Sequence, residues 1–340
     1  MPGPSDIQAR QRSGATLALG MALALVAVVL ATGPLWMGPY WMRVMSAVFM
    51  LAVIAQGLNL MAGYTGYPAF GNVAFFGLGG YLTAILMVRA ALPFWLAAPL
   101  ATLACPLLAL LLGPVLLRIK GHYFAIATLG LNEATRELVA NGGDLTGGGT
   151  GLSLPLPEGG PVFNAIRFYY LFLTVMVLSL ALTHAFARSH LGLGCQAIRD
   201  NETKAEASGL FTMRYKTTAW MLSATMTGAV GAIQAWWVTY IDPAAMFDMA
   251  LAVKAYAGLL LGGAGTVLGP VAGAFGIELL ANLTWSRLLN WHLGAMGVVV
   301  MLIVLLFPQG VARTLRRPYG LLHWGRHRGR SDSAGRRDEA

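Results

Sequence analysis

Charged residues are scarce in this sequence, and long parts of it have none. Of its 340 residues only 11% are Asp, Glu, Lys or Arg, against roughly a quarter in an ordinary soluble domain. A bilayer core of about 30 Å is crossed by roughly 20 apolar helical residues, so several uncharged stretches can span it once and the longest twice. These stretches are 15–42, 44–88, 90–117, 168–186, 217–241, 255–277 and 288–312. The composition excludes an ordinary soluble domain and predicts an integral membrane protein.

The motifs of common catalytic sites are also missing. The sequence has no G-x-x-x-x-G-K-S/T phosphate loop, no H-E-x-x-H, no G-x-S-x-G and no Asp-rich pair, so it does not hydrolyse ATP through a phosphate loop. Its two cysteines, Cys105 and Cys195, and its six histidines lack disulfide or metal-ligand spacing. We therefore predict a chain that is not an enzyme, with no catalytic residue, no metal and no cofactor of its own.

The apolar pattern predicts an all-α, polytopic membrane protein with about eight to ten transmembrane helices. Two candidate segments, 121–138 and 252–266, are short or interrupted by glycine, so re-entrant or broken helices stay open. The 42 glycines favour close helix packing in one bundle. The candidate segments are 15–33, 44–61, 72–90, 95–117, 121–138, 166–187, 215–240, 252–266, 267–285 and 289–307.

Positive charges set the predicted orientation. They concentrate at Arg10 and Arg12, at Arg118 and Lys120, in 188–216 and from 313 onward. Ten crossings, or eight with one re-entrant pair, place all four groups on one side, which the positive-inside rule assigns to the cytoplasm. We predict a cytoplasmic N-terminal tail (1–14), a transmembrane domain (15–312) with a cytoplasmic loop at 188–214, and a basic cytoplasmic tail (313–340). The net charge of +9 follows from this topology and does not indicate nucleic-acid binding, although the tail could touch membrane lipid.

Two glycine-rich islands interrupt the apolar sequence in opposite halves of the chain. The first, 63–81, contains Pro68, and the second, 261–276, contains Pro270. Irregular backbone at membrane depth is tolerated only where protein or a water-filled cavity covers it, and paired interruptions are a pointer to internally repeated transporters. We predict helix breaks at both islands; a polar turn between two helices is the alternative for the first.

Two acidic residues, Glu133 and Glu278, fall within apolar helical sequence. An ionisable group inside a membrane is costly enough to be a functional candidate. For Glu133 the structural alternative is a local ion pair with Arg136, about one helical turn away. Nothing distinctive surrounds Glu278 in the sequence, and both roles stay open for both residues.

A polar segment at 191–210 lies in the predicted cytoplasmic loop. Residues 196–208 are good helix formers, and Gly209 follows them as a stop signal. Ala197, Ala205 and Ser208 fall near one face of this helix, with charged residues on the others. A short helix of this kind suits insertion into a partner's groove, and a solvated loop is the alternative.

Six motifs follow one another along the chain between about residues 45 and 312, in the order in which they occur in a known family. They are 63–81, 121–129 with Glu133, 145–152, 197–209, 262–270 and 307–310. Together they resemble the LivM-type permeases of branched-chain amino-acid ABC importers. One departure lies at 66–72, where Pro68 and Asn72 stand in a stretch that is more usually Gly-Gln-Leu-Ser-Leu-Gly-His in that family.

The resemblance implies partners and site residues. Such permeases act in the bacterial inner membrane with a second related permease, two ATPase subunits that use the ATP, and an extracytoplasmic solute-binding protein. It implies coupling to the ATPase for Ala197, Arg199, Asp200, Glu202, Glu206, Ala207 and Gly209. It implies a translocation pathway near Gly66, Pro68, Phe70, Gly71, Asn72, Tyr123, Thr128 and Glu133. Helix-break or packing roles fall on Gly262, Gly263, Gly265, Gly269 and Pro270.

Other functions stay open at this point. A stand-alone ion-coupled secondary transporter would use intramembrane acids or histidines, for which Glu133, Glu278 and His292 are candidates. ABC permeases for urea or short-chain amides share the same architecture, so the cargo is not fixed. A membrane-embedded enzyme would need a catalytic constellation, and the sequence shows none.

Overall fold

The structure is a computed structural model that describes residues 26 and 28–287, with side chains up to residue 282. Most of these residues are helical. Residues 28–36 are helical. The helices that follow are α1 (Pro39–Leu58), α2 (Val73–Val88), α3 (Phe94–Leu116), α4 (His122–Ala140), α5 (Pro161–Arg188), α6 (His190–Ala207), α7 (Thr212–Val238), α8 (Pro243–Met246), α9 (Met249–Gly262) and α10 (Gly269–Arg287). A π-helical segment, Asn59–Thr65, continues α1, and 3₁₀ turns occupy Phe70–Asn72, Gly143–Leu145 and Gly148–Thr150. Two short strands are β1 (Leu152–Ser153) and β2 (Tyr240–Ile241).

The predicted all-α membrane fold is confirmed. Each of the eight predicted segments between 44 and 285 contains one helix, whereas 15–33 is only partly described and 289–307 lies outside the described residues. Five helical stretches in the described part are long and apolar enough to cross a membrane. They are Pro39–Thr65, Phe70–Val88, Phe94–Leu116, Pro161–Arg188 and Pro243–Gly262.

Two of the helices that begin earlier than predicted start at a proline. Helix α1 begins at Pro39 rather than 44, and α5 begins at Pro161 rather than 166. Proline is favoured in the first helical turn because its missing N–H would have no intrahelical partner there. The apolar pattern missed the first turn of α1 because Arg43 interrupts the uncharged sequence.

Contacts between connecting segments define two ends of the bundle. At the strand end, β1 pairs with β2 in antiparallel register, Leu152 opposite Ile241, so the chain after α4 meets the chain after α7. At the basic end, the Lys216 ammonium donates to the Leu117 carbonyl over 3.0 Å, so the start of α7 meets the end of α3. Arg118 and Lys120 follow Leu117 directly in the chain, and the Lys120 ammonium lies 3.8 Å from the Glu202 carboxylate of α6. The basic segments 118–120 and 188–216 therefore share one end.

Helix α7 packs against α1, α2 and α3, and glycines set how closely its backbone approaches theirs. A Cβ atom on Gly79 of α2 would lie 2.2 Å from the Gly228 carbonyl oxygen, and one on Gly231 would lie 2.0 Å from that of Phe76. Small residues allow this approach between membrane helices, where association depends on close packing rather than on apolar burial.

Helix α3 shows which surface suits lipid. Leu103 and Leu107 are exposed, whereas Cys105 between them is fully buried. An exposed leucine face is favourable in a bilayer because lipid tails are as apolar as leucine. Three prolines lie inside α3, Pro99, Pro106 and Pro114, and membrane helices tolerate them where neighbouring groups satisfy the freed backbone.

Candidate functional site

The first glycine-rich island forms a break between α1 and α2 at the basic end. The helical backbone continues from α1 as a π-helix and stops at Gly66, whose φ of 76° is in the left-handed region that favours glycine. Pro68 follows, half-buried, and a 3₁₀ turn at Phe70–Asn72 leads into α2. π-Helical segments of this kind occur often at functional sites.

The second island forms a matching break between α9 and α10. Helix α9 ends at Gly262, Gly263 and Gly265 follow with φ of 100° and 81°, and α10 begins at Gly269 and Pro270. A Cβ atom on Gly262 would lie 1.7 Å from the Gly269 carbonyl oxygen. The break is thus a tight turn in which the two helix ends touch through their backbones.

Two amide side chains of α1 and its π-helical extension hold the breaks together. Asn59 donates to the Thr266 carbonyl (2.8 Å) and accepts from the Gly265 N–H (2.8 Å). Gln56 donates to the Val267 carbonyl over 2.6 Å. Both amides are fully buried, and together they satisfy backbone groups that a helix would otherwise pair. These amides were not predicted as site residues, although two amide side chains within the apolar segment 44–61 were a visible signal.

Part of the predicted pathway set is packed inside the bundle. Gly71 lies against the α4 backbone, where a Cβ atom would come within 1.7 Å of the Thr128 carbonyl oxygen. Asn72 is buried and its amide nitrogen donates to the hydroxyls of Ser223 and Thr227 on α7, each over 2.9 Å. These contacts fix the 3₁₀ turn between α4 and α7.

Other predicted pathway residues lie on a different surface. Phe70 is half-buried and stacks on Tyr256 of α9 at 4.3 Å between ring centres. Tyr123 is 76% exposed, and Glu133 on the same helix is exposed and paired with Arg136. The structure therefore does not bring Tyr123 and Glu133 together with Asn72.

Glu278 has a partner that the sequence did not indicate. Its carboxylate lies 2.5 Å from the Lys254 ammonium, and both side chains are largely covered. Lys254 is on α9 and Glu278 on α10, so packing of these two helices creates the pair. The local sequence could not indicate this pair, because Lys254 lies on another helix and is distant from Glu278 in the chain.

The polar segment after α5 forms helix α6, which begins earlier than predicted. Ser189 caps it, its hydroxyl accepting from the Gly192 N–H over 3.2 Å. Helix α6 runs to Ala207, and Gly209 follows with φ of 85°, which agrees with the predicted stop. At Asn201 the backbone leaves helical values (φ −164°, ψ 105°), so α6 consists of two short helices joined at a kink.

The kink changes which α6 residues share a face. Ala205 is buried against the bundle, Ala197 is half-buried and Ser208 is exposed, so these three do not form the single small-residue face expected from a continuous helix. Asp200, Glu206, Ala207 and Gly209 are exposed. Glu206 also accepts a hydrogen bond from the Thr212 hydroxyl over 2.8 Å, which ties the end of α6 to α7.

Glu202 points back into the protein and joins a buried polar cluster. Its carboxylate lies 2.8 Å from the Lys216 ammonium of α7, accepts from the Tyr67 hydroxyl over 2.5 Å, and is 3.8 Å from Lys120. Lys216 is only 2% exposed and also donates to the Leu117 carbonyl. We call Glu202, Lys216 and Tyr67 the polar triad. Neither Lys216 nor Tyr67 was predicted as a site residue. In the sequence, Lys216 is one of several charges in the basic segment 188–216, and Tyr67 is one residue of the first glycine-rich island.

Burial and the contacts of Glu202 act in opposite directions on its protonation, and the contacts prevail. Burial would raise the pKa of the Glu202 carboxyl, but hydrogen bonds from Lys216 and Tyr67 outweigh burial and hold that pKa below its ordinary value. Burial, and then the hydrogen bond to Glu202, raise the pKa of the Tyr67 hydroxyl. At neutral pH, therefore, Glu202 is ionised and Tyr67 keeps the proton that it donates.

Comparison with known proteins identifies the family. Residues 40–307 match the family model described as branched-chain amino acid transport system / permease component. The chain belongs to this family. The permease is 28% identical, over 343 residues, to the high-affinity branched-chain amino acid transport system permease protein LivM of Salmonella typhimurium, an alignment covering 93% of this chain and 80% of that protein.

A second relative has the same description. LivM of Escherichia coli K12 is 28% identical over 325 residues, covering 88% of the permease and 76% of that protein. No solved structure matches the chain. The resemblance inferred from the motifs is confirmed at the level of the family, and the matched range contains both helix breaks and α6.

Proposed function

We propose that the permease is the membrane-spanning subunit of an ATP-driven importer for branched-chain or related amino acids. Family membership supports the transport role. The observation that carries the ATP-driven mechanism is α6, a polar segment at the basic end whose charged and small residues are exposed between two long helices. In this proposal, two ATPase subunits use the ATP, and the permease itself needs no cofactor.

The exposed part of α6 is the proposed ATPase-docking surface, made of Asp200, Glu206, Ala207 and Gly209. Asp200 and Ala207 are exposed on either side of the kink, so they project from the bundle rather than into it. A polar helix is costly to place in lipid but suits a groove on a soluble subunit. A second related permease and an extracytoplasmic solute-binding protein complete the proposed assembly.

Orientation follows from charge. The basic end carries Arg118, Lys120 and Arg188, whereas β1 and β2 lie at the opposite end. The positive-inside rule then directs the basic end, with α6, to the cytoplasm of a bacterium and the strand end to the outside. With one crossing before α1 and one after α10, both termini are proposed to be cytoplasmic.

The helix breaks are proposed to support the pathway in an alternating-access cycle. They interrupt two helices at the basic end and are joined to each other by Asn59. ATP binding would close the ATPase subunits, move α6, and reopen the bundle on the other side. Tight substrate binding by the permease is not required, because a solute-binding protein can supply specificity.

One experiment tests this function directly. The tagged permease is purified from its native membrane in mild detergent, partners are identified by mass spectrometry, and uptake of radiolabelled leucine is measured in proteoliposomes. We expect a phosphate-loop ATPase and a second permease in stoichiometric amounts, and uptake only with ATP. A homo-oligomer without ATPase, from an extraction that preserves other ABC complexes, would refute the proposal.

A stand-alone ion-coupled transporter is the main rival, and the Lys254–Glu278 pair is its best structural support. We expect the double variant Lys254→Met, Glu278→Gln to retain ATP-driven leucine uptake within about twofold, because the pair satisfies itself and removing both charges leaves no unpaired ion. The measurement is initial uptake with ATP and with an imposed proton or sodium gradient instead. Gradient-driven uptake by the wild type that disappears in this variant would favour the rival.

A further inference from the structure

Helix α6 makes two inward contacts, one on each side of its kink. Arg199 precedes the kink at Asn201 and Glu202 follows it. Asp200 and Ala207 are exposed and form part of the docking surface, whereas Glu202 is half-buried. Arg199 is exposed, but its guanidinium donates to the Gly63 carbonyl in the bundle. Because Arg199 and Glu202 belong to the same helix as the docking surface, a displacement of that surface would also move these two side chains.

Arg199 lies across both helix breaks. Its guanidinium donates to the Gly63 carbonyl in the first break. A Cβ atom on Gly66 would lie 3.1 Å from Arg199 Cγ, and one on Gly265 in the second break would lie 2.9 Å from Arg199 Nη1. One side chain of α6 thus touches the two segments that Asn59 joins.

Glu202 holds the first break at a second point. Tyr67 lies in the turn after the π-helix, and its hydroxyl donates to Glu202. Lys216 binds the same carboxylate, donates to the Tyr67 oxygen over 3.2 Å, and places its ammonium 4.6 Å from the centre of the Tyr67 ring. The triad therefore links α6, the first break and the start of α7 through charged and hydrogen-bonded contacts.

A buried ion pair is by itself weak evidence that its residues stabilise the fold. Replacing a buried ion pair by apolar residues of similar volume is often neutral or stabilising, whereas removing one partner leaves an unpaired buried charge and is strongly destabilising. Polar contacts have a direction and a defined geometry that apolar packing lacks. Such polar contacts are therefore suited to transmitting a displacement from one segment to another.

We propose that Arg199 and the polar triad are the positioning residues that transmit movement of α6 to the two helix breaks. This inference rests on the proposed function, since it requires an ATPase that moves α6. None of these residues contacts the transported solute in this role. They set how much substrate movement results from each ATP hydrolysed.

The test separates coupling from stability. The apolar triad variant carries Tyr67→Phe, Glu202→Leu and Lys216→Met together, and the single variant carries Lys216→Met alone. Each is purified as the full complex with its partners, and four quantities are measured: melting temperature, ATPase content, ATP hydrolysis and leucine uptake per ATP hydrolysed.

We expect the single variant to melt lower than the wild type and the apolar triad variant to recover most of that loss, because no buried charge is left unpaired. Both should retain the ATPase, yet uptake per ATP should fall tenfold or more in both. If uptake per ATP instead recovers with the melting temperature, the triad is only structural and the inference is wrong.

Two control variants and one mild variant complete the design. Lys204→Met alters an exposed lysine of the same helix, and the Lys254→Met, Glu278→Gln pair removes an ion pair elsewhere; both should keep normal uptake per ATP. Tyr67→Phe alone removes one hydrogen bond, keeps the ion pair, and should lower uptake per ATP about threefold. An unchanged ratio in Tyr67→Phe would overturn the inference even if the triple variant failed to fold.

Failure of the proposed function gives a different result. A wild-type complex that lacks an ATPase, or imports leucine without ATP, refutes the ATP-driven mechanism and this inference with it. A wild type that couples normally, together with an apolar triad variant that also couples normally, refutes only the inference.

Discussion

Permease carrying Ala207→Arg together with Asp200→Arg is expected to lose its ATPase subunits and to retain less than about 1% of ATP-driven leucine uptake. Both residues are exposed on α6 and neither contacts the rest of the described bundle through a hydrogen bond or ion pair. A large charged side chain in the centre of a packed interface leaves an unpaired, desolvated charge, which typically costs several kcal/mol. The fold should survive, because both changes lie on the protein surface.

The measurement is the amount of ATPase that co-purifies with the tagged permease, with uptake measured on the same preparation. Ala244→Arg is the matched control, since Ala244 is also exposed but follows β2 at the strand end. This control should retain the ATPase. Normal ATPase content in the α6 variant would show that the docking surface lies elsewhere on the basic end.

The second large effect is expected from Gly71→Ala, which should greatly reduce the yield of folded permease. The new methyl group would lie 1.7 Å from the Thr128 carbonyl oxygen and 3.0 Å from its Cα atom. The obstacle is helix backbone rather than a flexible side-chain end, so the 3₁₀ turn or α4 must move. Overpacking typically costs about 1–3 kcal/mol, and a clash with backbone belongs at the upper end of that range.

The readout is the monodisperse fraction and melting temperature in detergent. Gly130→Ala on α4 is the control, because no atom lies within 4 Å of the added Cβ and alanine favours helix by about 1 kcal/mol over glycine. That variant should match or exceed the wild type. Equal yields of Gly71→Ala and Gly130→Ala would contradict the close packing between α4 and the turn before α2.

In the glycine-rich islands, the local sequence was enough to predict the helix breaks but not the contact between them. Gly66 and Gly265 both adopt left-handed backbone, a conformation that glycine reaches at little cost, so breaks at these positions were predictable from composition. That the two breaks touch was not predictable, because the contact depends on Asn59, about 200 positions from Gly265. Whether the two halves are an internal repeat stays a prediction.

For ionisable residues, the sequence predicted a partner within the same helix but not a partner on another helix. The sequence offered Arg136 as the partner of Glu133, and the structure has that pair, since residues three apart on a helix are neighbours. For Glu202 and Glu278 the partners Lys216 and Lys254 come from other helices. The coupling and pathway roles given to the predicted site residues stay predictions, and the α6 and triad variants address the coupling role.

The sequence by itself determined the membrane class, the approximate positions of the described helices other than α8, and the family. It could do so because uncharged length, proline and glycine act locally, and the order of motifs is visible along the chain. Only the tertiary structure decided that α6 kinks at Asn201 and that its inward residues reach both breaks. The physical reason is that a buried charge is tolerated only where partners converge on it. For Lys216 those partners are Glu202, Tyr67 and Leu117, which packing alone brings together.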